Sequence, residues 1–246
     1  NHGIAKLHPN ENSFTRYRFE LNNPKSISQD RVTILFEDNY NNFWLGTSSE
    51  GLNLFDRDKG ITIKVFRNSQ NDKSTISSNR ILSIFQDSKN RLWIGTGSGL
   101  NLYNYPDSTF KTFTSLDGLP NDVILGILED DNGMLWLSTN NGISRFDYSE
   151  PNTPKFRNFD KLDGLQSNEF SENACLKTHN GIMFFGGINN FSVFDPLKVM
   201  DNPFPPRVFI TSARIIEKSD NSQDNEKLIN LLELDELILD YYNNNL

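Results

Sequence analysis

Phe43-Trp44-Leu45-Gly46-Thr47, Leu92-Trp93-Ile94-Gly95-Thr96 and Leu135-Trp136-Leu137-Ser138-Thr139 are three copies of one phrase, and they hold all 3 tryptophans of the chain. A weaker copy, Met183-Phe184-Phe185-Gly186-Gly187, places Phe184 in the tryptophan slot. Successive slots lie 49, 43 and 48 residues apart. A repeat of about 40 to 50 residues, with one aromatic anchor and several short strands per unit, predicts propeller blades. The expected fold is therefore all-β, with blades that are four-stranded antiparallel sheets.

Around Trp93 the grammar of one unit is complete. Ile81 to Phe85 is a short apolar strand, Asp87-Ser88-Lys89-Asn90 supplies turn chemistry, and Leu92 to Thr96 is the second strand. Gly97-Ser98-Gly99 turns the chain into Leu100 to Tyr103, and Phe110 to Phe113 closes the unit. Asp38, Asp87 and Asp130 each precede their tryptophan by six residues. Asx side chains bond backbone N–H groups two residues on, so these aspartates are read as turn staples. Gly46 and Gly95 are expected to let neighbouring sheets approach closely.

Working outward, Asn1 to Leu7 matches Asn140 to Phe146, so the chain starts at the third strand of a blade whose outer strand is Phe14 to Phe19. This gives a half blade at 1–22 and four blades at about 23–72, 73–117, 118–165 and 166–200. Either the chain is a segment of a larger propeller, or Ile4 to Phe19 pairs with the last blade to seal a smaller ring. A segment is preferred. Past Pro196 the grammar changes. Asn202 to Pro206 reads as a stiff linker, Arg207 to Ser212 and Ala213 to Ile216 as strands, Lys218 to Lys227 as a polar loop, and Leu237 to Tyr242 as a strand in preference to a helix. Residues 201–246 are expected to form the start of a second domain, cut short within it.

Bulk properties exclude some functions. The formal net charge is −8 and no Lys/Arg cluster occurs, so binding nucleic acid by phosphate neutralisation is not expected, nor is an anionic membrane surface. Cys175 is the only cysteine and reads as an inert thiol on a buried strand. No apolar run reaches the ~18 residues of a membrane span, and no signal peptide is visible. His2, His8 and His179 show no metal-ligand spacing. Asp130-Asp131-Asn132-Gly133 lacks the closing Glu of a calcium loop and reads as a turn. No metal and no cofactor is expected.

The Asp–x5–Trp-[Leu/Ile]-Gly-Thr…Gly-Leu-x-Leu pattern resembles two-component regulator propeller (Reg_prop) repeats. Asn168-Glu169-Phe170…Gly186-Gly187…Phe194-Asp195-Pro196 is similar to the last repeat before that family's triple-tyrosine (Y_Y_Y) domain, and Pro205 to Tyr242 resembles the opening of that immunoglobulin-like β-sandwich. The resemblance implies the extracytoplasmic, periplasmic sensor region of a receptor with a downstream transmembrane helix and then a histidine kinase, often a hybrid one, or sometimes a diguanylate cyclase. It further implies an oligosaccharide or similar solute as ligand, and a homodimer in the full receptor. The chain holds fewer blades than the family's usual seven, and its Y_Y_Y portion is short.

The tryptophans are read as inter-blade core and not as sugar-stacking platforms. Loops on a rigid scaffold are the usual place for function, which singles out the loops entering each first strand: Asp30 and Arg31, Asn79 and Arg80, Asn121 and Asp122, Asn168 and Glu169. Arg forks and Asn amides bind sugar hydroxyls or carboxylates; the competing reading is that these residues cap the inner strands. No catalytic residue is assigned. The alternatives to a sensor are a propeller enzyme (a polysaccharide lyase or glycoside hydrolase, which needs two carboxylates across a cleft) and a protein-binding scaffold.

Overall fold

A computed structural model describes residues 3–200, 212–217 and 225–230. The chain divides into two units, Asn1–Val199 and Met200–Leu246. Three sheets of the first unit are four-stranded antiparallel meanders, as the repeat predicts. They follow a hairpin of β1 (Ile4–His8) and β2 (Ser13–Tyr17). The first sheet holds β3 (Val32–Glu37), β4 (Phe43–Thr47), β5 (Leu52–Asp56) and β6 (Ile61–Phe66). The second holds β7 (Ile81–Gln86), β8 (Leu92–Thr96), β9 (Gly99–Asn104) and β10 (Thr109–Phe113). In the third are β11 (Ile124–Glu129), β12 (Leu135–Thr139), β13 (Gly142–Asp147) and β14 (Lys155–Phe159). The last sheet has three described strands, β15 (Phe170–Lys177), β16 (Met183–Gly187) and β17 (Phe191–Phe194). The β1–β2 pair forms its own sheet and does not hydrogen-bond to β15–β17, so the sealed ring is not the arrangement adopted.

The first strands pack on one another in succession, β3 on β7, β7 on β11 and β11 on β15. Each tryptophan lies on a second strand and faces the next sheet. Trp44 meets Tyr103 at 5.2 Å between ring centroids, Trp93 meets Phe146 at 5.7 Å, and Trp136 meets Phe194 at 4.9 Å. Tyr103, Phe146 and Phe194 occupy one slot on the third strands, so every junction is a tryptophan received by the aromatic of the following blade. Phe55 holds the same slot and receives Tyr17 of the hairpin at 5.2 Å. The tryptophans are at most 1% exposed, and taking the apolar surface of a side chain this size out of water contributes about 4 to 6 kcal/mol. That decides for packing over a sugar platform.

The close approach expected at the glycines is real. A Cβ on Gly46 would sit 2.6 Å from both Ile34 Cγ2 and Ile81 Cγ2, and one on Gly95 would sit 2.7 Å from the Ile124 carbonyl oxygen. The third blade has Ser138 in this slot, and there the small residue has moved to the paired position on the first strand. Gly126 faces Ser138, where the second blade has Ser83 facing Gly95.

In the second unit β18 (Ser212–Glu217) pairs antiparallel with β19 (Asn225–Asn230), from Ser212↔Asn230 to Glu217↔Asn225. The expected loop at Lys218 to Lys227 therefore gives way to strand from Asn225 onward: the ladder to β18 outweighs the polar composition of Asn225-Glu226-Lys227. The expected linker at Asn202–Pro206 and strand at Leu237–Tyr242 lie outside the described residues, as does His2.

Candidate functional site

Two kinds of conserved-in-repeat polar group fix the turns before any ligand is considered. The aspartates do more than cap. In the second blade Asp87 Oδ1 accepts the backbone N–H of Lys89 (3.0 Å) and of Arg91 (2.9 Å), while Oδ2 accepts the Trp93 indole N–H at 2.8 Å and Arg91 Nε at 2.6 Å. Asp38 and Asp130 bond Trp44 at 2.9 Å and Trp136 at 2.8 Å in the same way. The six-residue spacing is thus a carboxylate holding a buried indole, a bond the sequence reading did not assign. Burial pushes Asp38 up, but hydrogen bonds from Trp44, Asn42 and Tyr105 outweigh it and leave its pKa below 3.8. Burial and the neighbouring Asp38 together push the Tyr105 phenol well above 10.0. In the fourth blade Thr178 takes the aspartate's place, and Phe184 has no N–H to hold. The Thr47, Thr96 and Thr139 hydroxyls close the next turn, donating to the carbonyls of Gly51 (2.8 Å), Gly99 (3.0 Å) and Gly142 (2.9 Å).

At the rim, four of the eight singled-out side chains cap the inter-blade connection. Asp30 Oδ1 accepts Phe19 N–H at 2.7 Å, Asn79 Oδ1 accepts Asn68 N–H at 2.7 Å, Asp122 Oδ1 accepts Ser115 N–H at 2.6 Å, and Asn168 Oδ1 accepts Lys161 N–H at 2.9 Å. Each ties the outgoing segment of one blade to the entry of the next. Asn121 Oδ1 accepts Val123 N–H at 2.9 Å in an Asx turn. Arg31 and Glu169 are exposed, and neither side chain has a hydrogen-bond or ion-pair partner among the described residues. Arg80 is exposed too, but its Nη2 donates to Glu172 Oε1 on β15. Glu172 was not singled out from sequence.

The other candidates resolve as turns or packing. Asp130 staples the turn of Asp130–Gly133, and Asp131 is paired with Lys177 at 2.6 Å. His179 is an exposed turn residue, and His8 Nε2 lies 2.8 Å from Thr15 Oγ1. Cys175 is only half-buried, yet desolvation raises its thiol pKa, as an inert thiol requires. No group of three His, Cys, Asp or Glu converges on a metal position among the described residues. Clefts of about 510 Å³ (lined by Phe19, Asn23 and Arg67, among others) and about 360 Å³ (Arg91, Tyr105, Lys111) include none of the eight rim residues.

Comparison with known proteins supplies what geometry does not. The family described as Two component regulator propeller matches residues 26–49, 75–98 and 118–141. Each match ends just beyond a Trp–x–[Gly/Ser]–Thr phrase. The chain carries two-component regulator propeller repeats. This regulator-propeller chain is 36% identical over 61 residues to Histidine kinase P4 of Formosa agariphila, covering 25% of the chain and 4% of that protein. Its fold is similar to a crystal structure of the extracellular domain assigned to a hybrid two component system of B. thetaiotaomicron, with a TM-score of 0.67, 29% identity, and coverage of 90% of this chain and 29% of that one. The extracellular domain assigned to a one component system of the same organism gives a TM-score of 0.65 at 17% identity, over 98% of this chain and 34% of that one. A streptogramin B lyase gives 0.51 at 17% identity, over 78% and 61%, which is a likeness of fold alone. The chain spans about a third of the length of the extracellular domains it resembles, and far less of the kinase. None of its described helices is long and apolar enough to cross a membrane.

Proposed function

We propose that the regulator-propeller chain is a non-enzymatic part of the periplasmic sensor region of a two-component histidine kinase receptor, hybrid in type. It binds an oligosaccharide or related solute at the rim where the first strands begin. The single observation that carries this reading is the 29% identity, over 90% of the chain, to an extracellular domain assigned to a hybrid two component system. Within the rim, capping claims one oxygen each of Asp30, Asn79, Asp122 and Asn168. Their remaining polar atoms, with Arg31, Arg80, Asn121 and Glu169, are the groups that face a ligand. We assign residues 201–246 to a linker and the start of a Y_Y_Y sandwich that relays the signal toward a membrane helix, in a receptor that works as a homodimer. Signalling requires two states that differ in ligand affinity. The propeller-enzyme alternative has only the shared fold behind it.

The test is calorimetric titration of the receptor's ectodomain with a panel of oligosaccharides, in wild type and in an Arg31→Ala/Arg80→Ala variant. Saturable binding that the variant weakens at least ten-fold, with unchanged circular dichroism, supports the reading. Unchanged binding removes the rim as the site, and turnover of a glycan in the panel replaces the sensor with an enzyme.

A further inference from the structure

We propose that Arg80 is a receptor for a ligand carboxylate, occupied in the free protein by Glu172 as an internal stand-in. The first observation is a departure from the repeat. In the first three blades the innermost strand carries the same one-residue bulge, between Val32 and Ile34, Ile81 and Ser83, and Ile124 and Gly126. In β15 the register passes from Phe170↔Gly187 to Cys175↔Phe185, so residues 171–174 stand where the other blades place two residues over the same step of the partner strand. Asn173 within this insertion has φ 55°, a left-handed conformation that β-strands do not use. Bulges of this kind re-aim side chains, and here the exposed product is Glu172.

The second observation is where Glu172 points. It accepts a hydrogen bond from Arg80 Nη2, 92 residues away, joining the fourth sheet to the second past the third. Such a contact is possible because β15 and β7 approach each other directly. Arg80 is placed by its backbone on both sides. Its N–H donates to Ser78 Oγ at 3.1 Å, and its carbonyl accepts Gly97 N–H at 3.1 Å. The fixed backbone sets the point from which the side chain reaches across to β15.

The third observation is that the pair is incomplete and wet. Glu172 takes one of the five N–H donors of the guanidinium, and the others have no partner among the described residues. The two side chains are 51% and 43% exposed. An exposed single-contact pair shifts an equilibrium by at most about five-fold, whereas a free carboxylate can take two parallel N–H donors from the same fork. A carboxylate-bearing solute therefore displaces Glu172, and in doing so it unties the second blade from the fourth.

This inference rests on the rim being the ligand face, and the experiment separates the two. The whole chain, labelled with ¹⁵N, is titrated at low ionic strength with sodium glucuronate and, separately, with glucose, which lacks the carboxylate. Glucuronate is expected to shift the Arg80 Nε–Hε signal and the Ser78 and Gly97 amides saturably, and glucose is not. Glu172→Gln should bind glucuronate up to about five-fold more tightly, and Arg80→Ala should lose it. Equal affinity in Glu172→Gln, retained binding in Arg80→Ala, or no glucuronate response in any variant overturns the proposal. Oligosaccharide binding without carboxylate dependence overturns it while leaving the rim as ligand face in place.

Discussion

Replacing Asp87 by Asn tests whether the aspartate of each repeat is a fastener of the tryptophan or only a turn residue. Asp87 is 2% exposed, and its two oxygens accept four hydrogen bonds. Asparagine can keep Oδ1 on the Lys89 and Arg91 amides, but it then turns an NH₂ toward the Trp93 indole N–H. Two donors face each other in a buried site. The bond lost to a charged acceptor is worth about 1.5 to 3 kcal/mol, and an unsatisfied buried donor costs about 1 to 3 kcal/mol. The Arg91 bond at 2.6 Å goes as well, although Arg91 keeps the Tyr148 carbonyl at 3.1 Å and its stacking over Trp93. A net loss of about 3 kcal/mol is expected, which lowers Tm by about 6 to 12 °C in a chain of this size. Urea and thermal unfolding followed by circular dichroism measure it. The decisive control is Trp93→Phe, which removes the N–H that Asp87 serves. In that background Asp87→Asn should cost at least 1.5 kcal/mol less than in wild type, a coupling well above the ~0.5 kcal/mol seen between independent sites. A penalty under 1 kcal/mol, or one equal in both backgrounds, means the indole bond is incidental and the reasoning fails.

Three further outcomes follow from the same packing. Gly95→Ala should destabilise the chain by about 1 to 3 kcal/mol through overpacking, because the new methyl meets the Ile124 carbonyl at 2.7 Å; a neutral result in urea unfolding would show that the sheets can part. The Asp38–Tyr105 pair predicts stability that fades at both ends of the pH scale. The lowered Asp38 pKa contributes above its unfolded value near 3.8 and is lost as pH falls through the folded value, while the raised Tyr105 pKa contributes below 10.0 and is lost as pH climbs past it. Tyr105→Phe should flatten the alkaline decline of Tm, and a curve parallel to wild type above that pH would refute it. In the fourth blade, Phe184→Trp alone should gain nothing, since Thr178 cannot hold the indole as Asp87 does. Adding Thr178→Asp should recover about 1 kcal/mol, and additivity of the two changes in a double-mutant cycle would count against the aspartate–indole rule.

Much of the first unit was legible because each blade repeats the same solution. The tryptophan slots gave the period, the turn residues gave the strand ends, and Gly46 and Gly95 announced tight junctions. The aspartate–indole bond was half legible: spacing marked Asp38, Asp87 and Asp130 as partners of something, but the turn between them hid that both ends of one hydrogen bond belong to the same phrase. The swap of small residue from Gly95 to Gly126 was not legible, because it depends on cross-strand register and not on order along the chain. The rim residues were found by position, and the structure then shows five of the eight in capping or turn bonds. Composition misled at Asn225, where strand pairing overrides three polar residues.

Glu172 is the instructive omission. Nothing local marks it, since Ser171-Glu172-Asn173 reads as an ordinary polar stretch. Its position follows from an insertion in β15 that is visible only as a shift of register, and its partner lies two sheets away. A repeat array spends its repeated positions on the contacts every blade must make, so Trp93 or Thr96 has little freedom to serve a ligand without loosening a junction. Departures from the repeat carry no such duty. The insertion in β15 leaves the Cys175↔Phe185 to Lys177↔Met183 ladder intact beyond it, so the strand remains anchored while its first residues are free to project a charge. The same logic applies to Arg80, whose carbonyl accepts Gly97 N–H within its own blade while its side chain takes part in none of the repeated contacts. Arg31 occupies the equivalent position one blade earlier, with a carbonyl that accepts Ser48 N–H at 3.1 Å and a guanidinium left in solvent. Only the blade that lies opposite the inserted carboxylate has its arginine engaged. If the pair were a structural tie, an exposed contact worth under about 1 kcal/mol would be a poor one beside junctions that each bury a tryptophan. Its weakness is what a displaceable occupant requires.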